Sequence, residues 1–287
     1  MRLEREKIVA ACQGSLLPCV RIAPNGEEAG PADSKFGGDF YLPAGAEKPE
    51  MEFLAQVNFA QVPRLEGFPD KGLLQFFLCT EEERFEAFYE DDCAWKQDAG
   101  FFQVRWYPEV PEDAPACKNA VPENCWLMDS RLGGMDFEPS EEIATISISE
   151  DGGLVFDLGF AFLEDALTPV FRAAREEDDD DDDWDDEDEE EEGVYDLENS
   201  CEDTDQFFCD FGNWGFKLGG HPSLRQGEFR LDEDEYQAYS TLLFQYDLTP
   251  PRDPNGLESD TFCFFIKPED LKARRFDDIL MIHHNCF

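Results

Sequence analysis

The tetrapeptide Lys-x-Gly-Gly occurs twice in this chain, as Lys35-Phe36-Gly37-Gly38 and as Lys217-Leu218-Gly219-Gly220. Each copy is followed by an apolar run that carries one glutamine, Gln56 in the first copy and Gln245 in the second. A double-phenylalanine run comes about twenty residues beyond each glutamine. The same three signals in the same order predict a diverged internal duplication.

The duplication divides the chain into three parts. We predict a first repeat over residues 1–175, a disordered acidic insert over 176–192 and a second repeat over 193–287. The insert holds sixteen acidic residues and one tryptophan. Like charges repel and almost nothing apolar is left to bury, so the insert is expected to stay extended and to be dispensable for the core.

Hydrophobic periodicity places most of the secondary structure. Strict alternation on both sides of an Asp-Gly turn predicts a hairpin over residues 143–156. The remaining strands are predicted at residues 18–22, 53–59, 72–79, 102–107, 241–248, 261–267 and 279–287, and helices at 3–12, 160–175 and 232–239.

The charge of the chain limits its partners. Acidic residues number 68 and basic residues 23, which gives a formal net charge of -45. Such a field repels phosphate groups, so we expect no nucleic-acid partner and no anionic membrane surface. The partners that remain are a basic protein and cations bound diffusely at the acidic run. The alternative is that the charge serves only to keep the chain soluble. The acidic run lacks the spaced ligands and turn glycine of an EF-hand loop, so no specific calcium site is predicted.

The start of the chain and its cysteines indicate a compartment. Residues 1–7 are charged and the apolar patch that follows is too short for a secretory signal. No apolar run approaches the roughly 20 residues that a membrane span needs. The ten cysteines are scattered without a pairing pattern. We therefore predict a soluble cytoplasmic protein with reduced thiols.

The two glycine pairs are predicted to be turns. Neither Gly37-Gly38 nor Gly219-Gly220 lies in a dinucleotide-binding or P-loop context, so a phosphate-binding loop is disfavoured. A turn with positive φ explains them, because a β-carbon there costs roughly 1–2 kcal/mol. Lys35 and Lys217 then have two interpretations, as contacts to an anion or partner at the sheet rim, or as ordinary surface ion pairs.

The glutamines also have two interpretations. An amide in an apolar strand must find partners or cost about 1–3 kcal/mol. In the first interpretation Gln56 and Gln245 each tie down the glycine turn that precedes them. In the second, the duplication brings them together with Asn58 and Asp247 near a pseudo-twofold axis, where they line a polar cleft.

Catalytic and metal-binding motifs are not indicated. His283 and His284 are neighbours in a predicted strand and therefore point to opposite faces. No Cys-x-x-Cys or His-Glu-x-x-His motif occurs, so neither a metal site nor a cofactor is predicted. No Gly-x-Ser-x-Gly elbow occurs either, although a Ser or Cys triad with His221, His283 or His284 as base stays open.

Several of these segments together resemble the bacterial YwqG-like family, whose function is unknown. In the first half the matching residues are 34–38, 41–43, 53–58 and 73–77, and in the second half 217–222, Gln226, 242–247, Asp260, 264–266 and 285–286. The resemblance implies bacterial origin, a cytoplasmic address and one α+β unit of two similar meander-like antiparallel β-sheets with a few short helices. It implies no catalytic residue. The chain departs from the family at Leu257-Glu258-Ser259-Asp260, where Trp-Gly-Asp is expected, and before Gln226, where an aromatic residue is usual.

We interpret the chain as a non-enzymatic module that binds another protein, with a basic partner neutralised in the manner of an immunity protein. The alternative is a small-ligand-binding protein or enzyme with a polar cleft between the two repeats. The residues assigned to a ligand or partner site are Lys35, Gln56, Asn58, Lys217, His221, Gln226, Gln245, Asp247 and Asp260.

Overall fold

Fifteen strands and three α-helices make up the regular structure of the residues that the computed structural model describes, namely 5–79, 94–111, 113–119, 133–148, 154–176, 211–224, 227–231, 233–248 and 259–286. The strands are β1 Leu17–Pro24, β2 Lys35–Phe36, β3 Phe40–Tyr41, β4 Glu52–Asn58, β5 Leu73–Leu78, β6 Ala94–Lys96, β7 Phe102–Tyr107, β8 Ala116–Cys117, β9 Gly133–Glu142, β10 Ile146–Ile148, β11 Leu154–Phe156, β12 Phe216–Gly219, β13 Thr241–Asp247, β14 Ser259–Ile266 and β15 Ile279–Cys286. The helices are α1 Arg5–Ala11, α2 Leu163–Glu176 and α3 Pro268–Ala273, with short 3₁₀ turns at Gln13–Ser15, Gln97–Ala99, Phe229–Leu231 and Tyr236–Ala238.

One large antiparallel sheet dominates the fold. Its eleven strands follow the order β6-β15-β14-β13-β12-β1-β9-β2-β4-β5-β7. Two short pairs, β10–β11 and β3–β8, lie outside it. The protein is therefore mostly β, with its helices serving as short covers and connections.

The predicted α+β fold with two similar meander-like sheets is wrong. Strand β1 pairs with β12 on one side, with Cys19 opposite Gly219, and with β9 on the other. This pairing joins the strands of both halves into a single sheet. Two separate sheets would each leave an edge strand with unpaired backbone N–H and C=O groups, and the pairing of β1 on both sides removes those edges. The division at residues 1–175 and 193–287 stays a prediction.

Aromatic contacts show that the sheet is curled into a half-barrel. Strands β5 and β13 are six positions apart in the strand order, which corresponds to about 29 Å in a flat sheet. Yet the ring centroids of Phe76 and Phe244 are 4.4 Å apart, and those of Phe76 and Phe264 are 4.9 Å apart. The inward side chains of distant strands therefore meet in one core inside the curl.

The two edges of the sheet also approach each other. Strands β6 and β7 lie at opposite ends of the strand order, but only residues 97–101 separate them along the chain. The side-chain oxygen of Gln97 accepts a hydrogen bond from the backbone N–H of Val104 at 3.0 Å. This short link requires that the curl bring the two edge strands close together at one corner.

Most predicted elements are confirmed by the structure. The predicted strands correspond to β1, β4, β5, β7, β13, β14 and β15, the hairpin arms to β10 and β11, and two predicted helices to α1 and α2. The helix predicted at 232–239 is wrong, because a single 3₁₀ turn, Tyr236–Ala238, occupies the described part of it. Residues 177–192 of the acidic insert and the turn of the hairpin lie outside the described residues.

The helices do not resemble membrane spans. Among the described residues no helix is both long and apolar enough to cross a bilayer.

Phe76 offers a direct test of the curled core. Its side chain is fully buried against Phe244 and Phe264, so Phe76→Ala should lower the free energy of unfolding by about 3–5 kcal/mol. The control Phe162→Ala removes a ring that is 60% exposed. It should lower the free energy of unfolding by about 0.5 kcal/mol or less. Urea unfolding measures both, and equal losses would contradict the described core.

Candidate functional site

The two Lys-x-Gly-Gly segments form similar turns on the outer face of the sheet. Lys35 lies opposite Gln56 in the β2–β4 pair, and Lys217 lies opposite Gln245 in the β12–β13 pair. All four glycines have positive φ, between 59° and 71°, which confirms the predicted turns. A β-carbon on Gly220 would lie 2.5 Å from a carboxylate oxygen of Glu142, so that position also requires glycine for space.

Lys35 is buried and fastens the loops around its turn. Its side chain donates hydrogen bonds to the carbonyl oxygens of Ala29 and Asp39, both at 2.9 Å. The residue is only 4% exposed, and burial lowers the pKa of its ammonium group despite nearby carboxylates. The interpretation of Lys35 as a surface ion pair is therefore wrong.

Lys217 is fastened in the same way, with a buried ion pair added. Its side chain donates to the carbonyl oxygens of Asn213 at 2.7 Å and His221 at 2.5 Å. It also contacts a carboxylate oxygen of Glu142 at 2.8 Å, and both side chains are almost fully buried. Arg21 contacts the other oxygen of Glu142 at 2.9 Å, so this carboxylate has two cationic partners.

Gln56 satisfies its amide with the loops around the first turn and with Gln75 on β5. Its Nε2 donates to the carbonyl oxygens of Pro31 and Asp33 at 2.7 and 2.6 Å. Its Oε1 accepts from the backbone N–H of Tyr41 at 3.3 Å and from the side chain of Gln75 at 3.0 Å. A buried amide with these partners holds the loop in place.

Gln245 repeats this pattern in the second turn. Its Nε2 donates to the carbonyl oxygens of Asn213 and Gly215 at 3.0 and 2.9 Å, and its Oε1 accepts from the N–H of Ser223 at 2.8 Å. The residues that Gln245 bonds in this turn stand at the same sequence offsets from Lys217 as Pro31, Asp33 and Tyr41, which Gln56 bonds, stand from Lys35. The contacts match the interpretation in which each amide ties down its turn.

The structure does not bring the two glutamines together. Five strand spacings separate β4 from β13, which amounts to roughly 24 Å along the sheet. Phe36 and Phe216 are the neighbours of Lys35 and Lys217 on the opposite face, and their rings meet in the core at 4.4 Å. The lysines and glutamines therefore point outward into two separate loops.

Asn58 and Asp247 extend the same scaffolding. The side chain of Asn58 donates to the carbonyl oxygen of Ala32 at 2.8 Å. The carboxylate of Asp247 accepts from the backbone N–H of Gly215 at 2.7 Å. Both residues thus bind the loop that precedes the lysine of their turn.

Asp260 lies on β14. Asp260 contacts the Nε2 atom of His283 at 2.6 Å, and the His283 ring stacks on Phe262. Gln226 lies outside the described residues.

His221 belongs to a buried cluster of charges. Its Nδ1 lies 2.6 Å from Asp157, and its Nε2 lies 2.7 Å from the carbonyl oxygen of Ser15. Asp157 also contacts Arg230, which bonds Glu228 at 2.7 Å. Burial alone would raise the pKa of Asp157, but Arg230 and His221 outweigh it and lower the pKa. Both ring nitrogens of His221 therefore face oxygen atoms inside the cluster, and the ring is fully buried.

Three buried thiols are poor nucleophiles. Burial raises the pKa of Cys12 to about 11 and the pKa values of Cys19 and Cys263 to about 12. Since the thiolate is the reactive form, these cysteines stay protonated near neutral pH. Among the described residues, no three His, Cys, Asp or Glu side chains are grouped so as to hold a metal ion.

An open acidic pocket lies beside the first turn. Its volume is about 460 Å³, and its walls come from the loop before Lys35, from the start of β9 and from residues 61–63. The carboxylates on its lining are Glu27, Glu28, Asp33 and Asp136. None of its described lining residues is a lysine or arginine, so the pocket has no cation of its own.

Hydrogen bonds set the positions of the pocket carboxylates. Asp33 accepts from the backbone N–H of Gly30 at 2.7 Å and from the side chain of Gln61 at 2.8 Å. Asp136 accepts from the side chain of Asn25 at 3.0 Å. Hydrogen bonds thereby hold the carboxylates of the half-buried Asp33 and the exposed Asp136 in position.

Close packing against β9 shapes the same pocket. The backbone N–H of Gly134 donates to the carbonyl oxygen of Glu27 at 2.9 Å. A β-carbon on Gly133 would lie 2.7 Å from that oxygen, and one on Gly134 would lie 2.8 Å from Asn25. The Gly133–Gly134 pair therefore allows the acidic loop to lie against the strand. Sequence reasoning missed this pocket, although the Glu27-Glu28 and Gly133-Gly134 pairs mark it.

These features define a mostly β protein built on one curled antiparallel sheet with an acidic pocket beside it. The chain belongs to the family described as "Domain of unknown function (DUF1963)", whose match covers residues 34–286. No curated protein matches the chain. The match supports an uncharacterised domain family, and the YwqG-like name stays a resemblance.

Lys217→Met tests the buried ion pair. The substitution leaves Glu142 buried with Arg21 as its remaining described cationic contact, so the free energy of unfolding should fall by about 3 kcal/mol, the low end for a broken buried pair. Adding Glu142→Gln should restore part of the loss. The control is Lys48→Met, because Lys48 is exposed; a loss as small as in that control would contradict the structural role of Lys217. Urea unfolding measures all three variants.

Proposed function

We propose that this protein is a binding module that takes a cationic side chain of a basic polypeptide into the acidic pocket. The observation that carries the proposal is the group of four carboxylates on the pocket lining, where no described residue is a lysine or arginine. The net charge of -45 adds a long-range field of the same sign, which attracts cationic partners and accelerates their encounter.

The pocket suits an arginine or lysine side chain in size and chemistry. Its volume of about 460 Å³ falls in the usual range for ligand pockets, about 300–1,000 Å³. Asp33 and Asp136 present fixed oxygens, while Glu27 and Glu28 are exposed and can close on a ligand. Charge-assisted hydrogen bonds to carboxylates are among the strongest that a guanidinium group makes.

Three of the site residues predicted from the sequence hold the loop that forms one wall of the pocket. Lys35 binds the carbonyl oxygen of Ala29, Gln56 those of Pro31 and Asp33, and Asn58 that of Ala32. The buried Lys35 and Gln56 and the half-buried Asn58 thus hold four carbonyl groups of the loop that forms one wall. In this proposal Lys35, Gln56 and Asn58 are positioning residues, and they do not touch the ligand.

A binding role agrees better with the described chemistry than an enzymatic role. The imidazole of His221 has both nitrogens engaged, and burial keeps Cys12, Cys19 and Cys263 protonated. Gln56 on β4 and Gln245 on β13 bind separate loops, so no observation favours a cleft between them. Neutralisation of a basic protein in the cytoplasm, as an immunity protein does, is the biological form of the proposal.

The pocket can be tested with a tri-arginine peptide by calorimetric titration at about 150 mM salt, where long-range attraction is screened. Glu27→Gln with Glu28→Gln should weaken binding about tenfold, which is 1.4 kcal/mol. The matched control, Glu109→Gln with Asp113→Asn, removes two exposed carboxylates elsewhere and keeps the same net charge. If both double variants bind equally well, the pocket is not the binding site.

A further inference from the structure

Three large apolar side chains are exposed among the described residues. Leu16 is 39% exposed, Phe162 is 60% exposed and Leu231 is 58% exposed. A single exposed apolar side chain needs no explanation, but the segments that carry these three meet at one place, the buried charge cluster of His221.

Leu16 and Phe162 reach this cluster from two segments. The carbonyl oxygen of Ser15, the residue before Leu16, lies 2.7 Å from Nε2 of His221. The ring of Phe162 lies 6.0 Å from that of Phe160, which in turn lies 4.8 Å from the His221 ring. Both exposed side chains therefore belong to segments that contact the same imidazole through Ser15 and Phe160.

Leu231 reaches the cluster from a third segment. Its neighbour Arg230 contacts Asp157, and Asp157 binds the other ring nitrogen of His221. The backbone N–H of Leu231 donates to the carbonyl oxygen of Glu228 at 3.0 Å. The buried ion pairs thus fix all three segments relative to one another.

Acidic side chains accompany the two most exposed residues in the same pattern. Glu164 and Asp165 follow Phe162 by two and three residues, and Glu233 and Asp234 follow Leu231 by the same steps. All four acidic residues are exposed. The surface therefore combines apolar anchors with a negative rim.

We propose that this surface, formed by Leu16, Phe162 and Leu231 with their acidic neighbours, docks a basic amphipathic helix of a partner protein. The apolar face of such a helix would cover the three exposed side chains, and lysine or arginine residues on its flanks would pair with the rim. Interfaces of this kind have an apolar centre and a polar rim, and an amphipathic helix docks by its apolar face.

Charge complementarity selects this occupant over two others. A second copy of the chain would place one acidic rim against another, and like charges at an interface cost several kcal/mol. An anionic membrane would meet the same repulsion. A basic helix is the occupant that gains from both the anchors and the rim.

The docking surface is separate from the acidic pocket. Leu16 precedes strand β1 and Asn25 of the pocket follows it, so about 30 Å of extended chain lies between them. Variants at one site can therefore be tested without altering the other, so the two proposals can be refuted separately.

The test uses a synthetic helix of leucine and lysine, about 18 residues or five turns long, and a peptide of equal composition with its leucines spread evenly around the helix. At about 150 mM salt, fluorescence anisotropy with the full chain should show at least tenfold tighter binding of the amphipathic peptide. Phe162→Ser with Leu231→Ser should remove this preference, and Leu16→Ser should reduce it. Glu27→Gln with Glu28→Gln should leave it unchanged.

Because the substituted side chains are exposed, the serine variants should keep the thermal midpoint of the wild-type chain, which circular dichroism checks. Glu164→Gln with Asp165→Asn should weaken binding about fivefold more than the control Glu109→Gln with Asp113→Asn. Equal binding of the two peptides would overturn the proposal, as would a tenfold preference that survives in the Phe162→Ser and Leu231→Ser variant.

Discussion

The packing of phenylalanine rings across the inside of the sheet is the interaction on which the rest of the structure depends. Phe76 on β5 meets Phe244 and Phe264, which lie on strands far from it in the strand order. Strand twist already favours curling in a sheet of this width, but hydrogen bonds between neighbouring strands do not link its ends, so these ring contacts hold the curl closed. The curl encloses the largest apolar cluster, while the outer face carries the two glycine turns with their loops and smaller apolar clusters such as Leu242, Phe265 and Leu280.

Polar side chains on the outer face of the sheet hold irregular loops against it. Lys35 and Gln56 satisfy carbonyl groups of one loop, and Lys217 and Gln245 satisfy those of another. An unsatisfied buried carbonyl costs about 1–3 kcal/mol, so each polar side chain is retained for its bonds to the backbone. The loop before Lys35 gains a fixed shape from these bonds, and that shape makes the acidic pocket.

Local patterns predicted local structure well and failed where distant segments meet. Short apolar runs identified β4, β5, β13 and β14, and paired glycines identified both turns, because these signals are encoded within a few residues. Strand β9 was missed, since its sequence Gly-Gly-Met-Asp-Phe-Glu-Pro-Ser-Glu-Glu has no regular alternation. The junction of β1 with β12 and β9 depends on pairing between segments far apart in sequence. Glu27 and Glu28 have the local sequence of a solvated acidic loop, and the packing of Gly26 and Glu27 against Gly133, which is distant in sequence, is what places them at a pocket.

The central claim is that the strands of both halves form one sheet around one core. Native-state hydrogen exchange measured by mass spectrometry, at increasing urea below the unfolding midpoint, tests it most directly. Segments that contain β5 and β14 should converge on the same opening free energy and the same dependence on urea, because global unfolding exposes both. Two different limiting free energies, with one half opening while the other stays protected, would contradict the account.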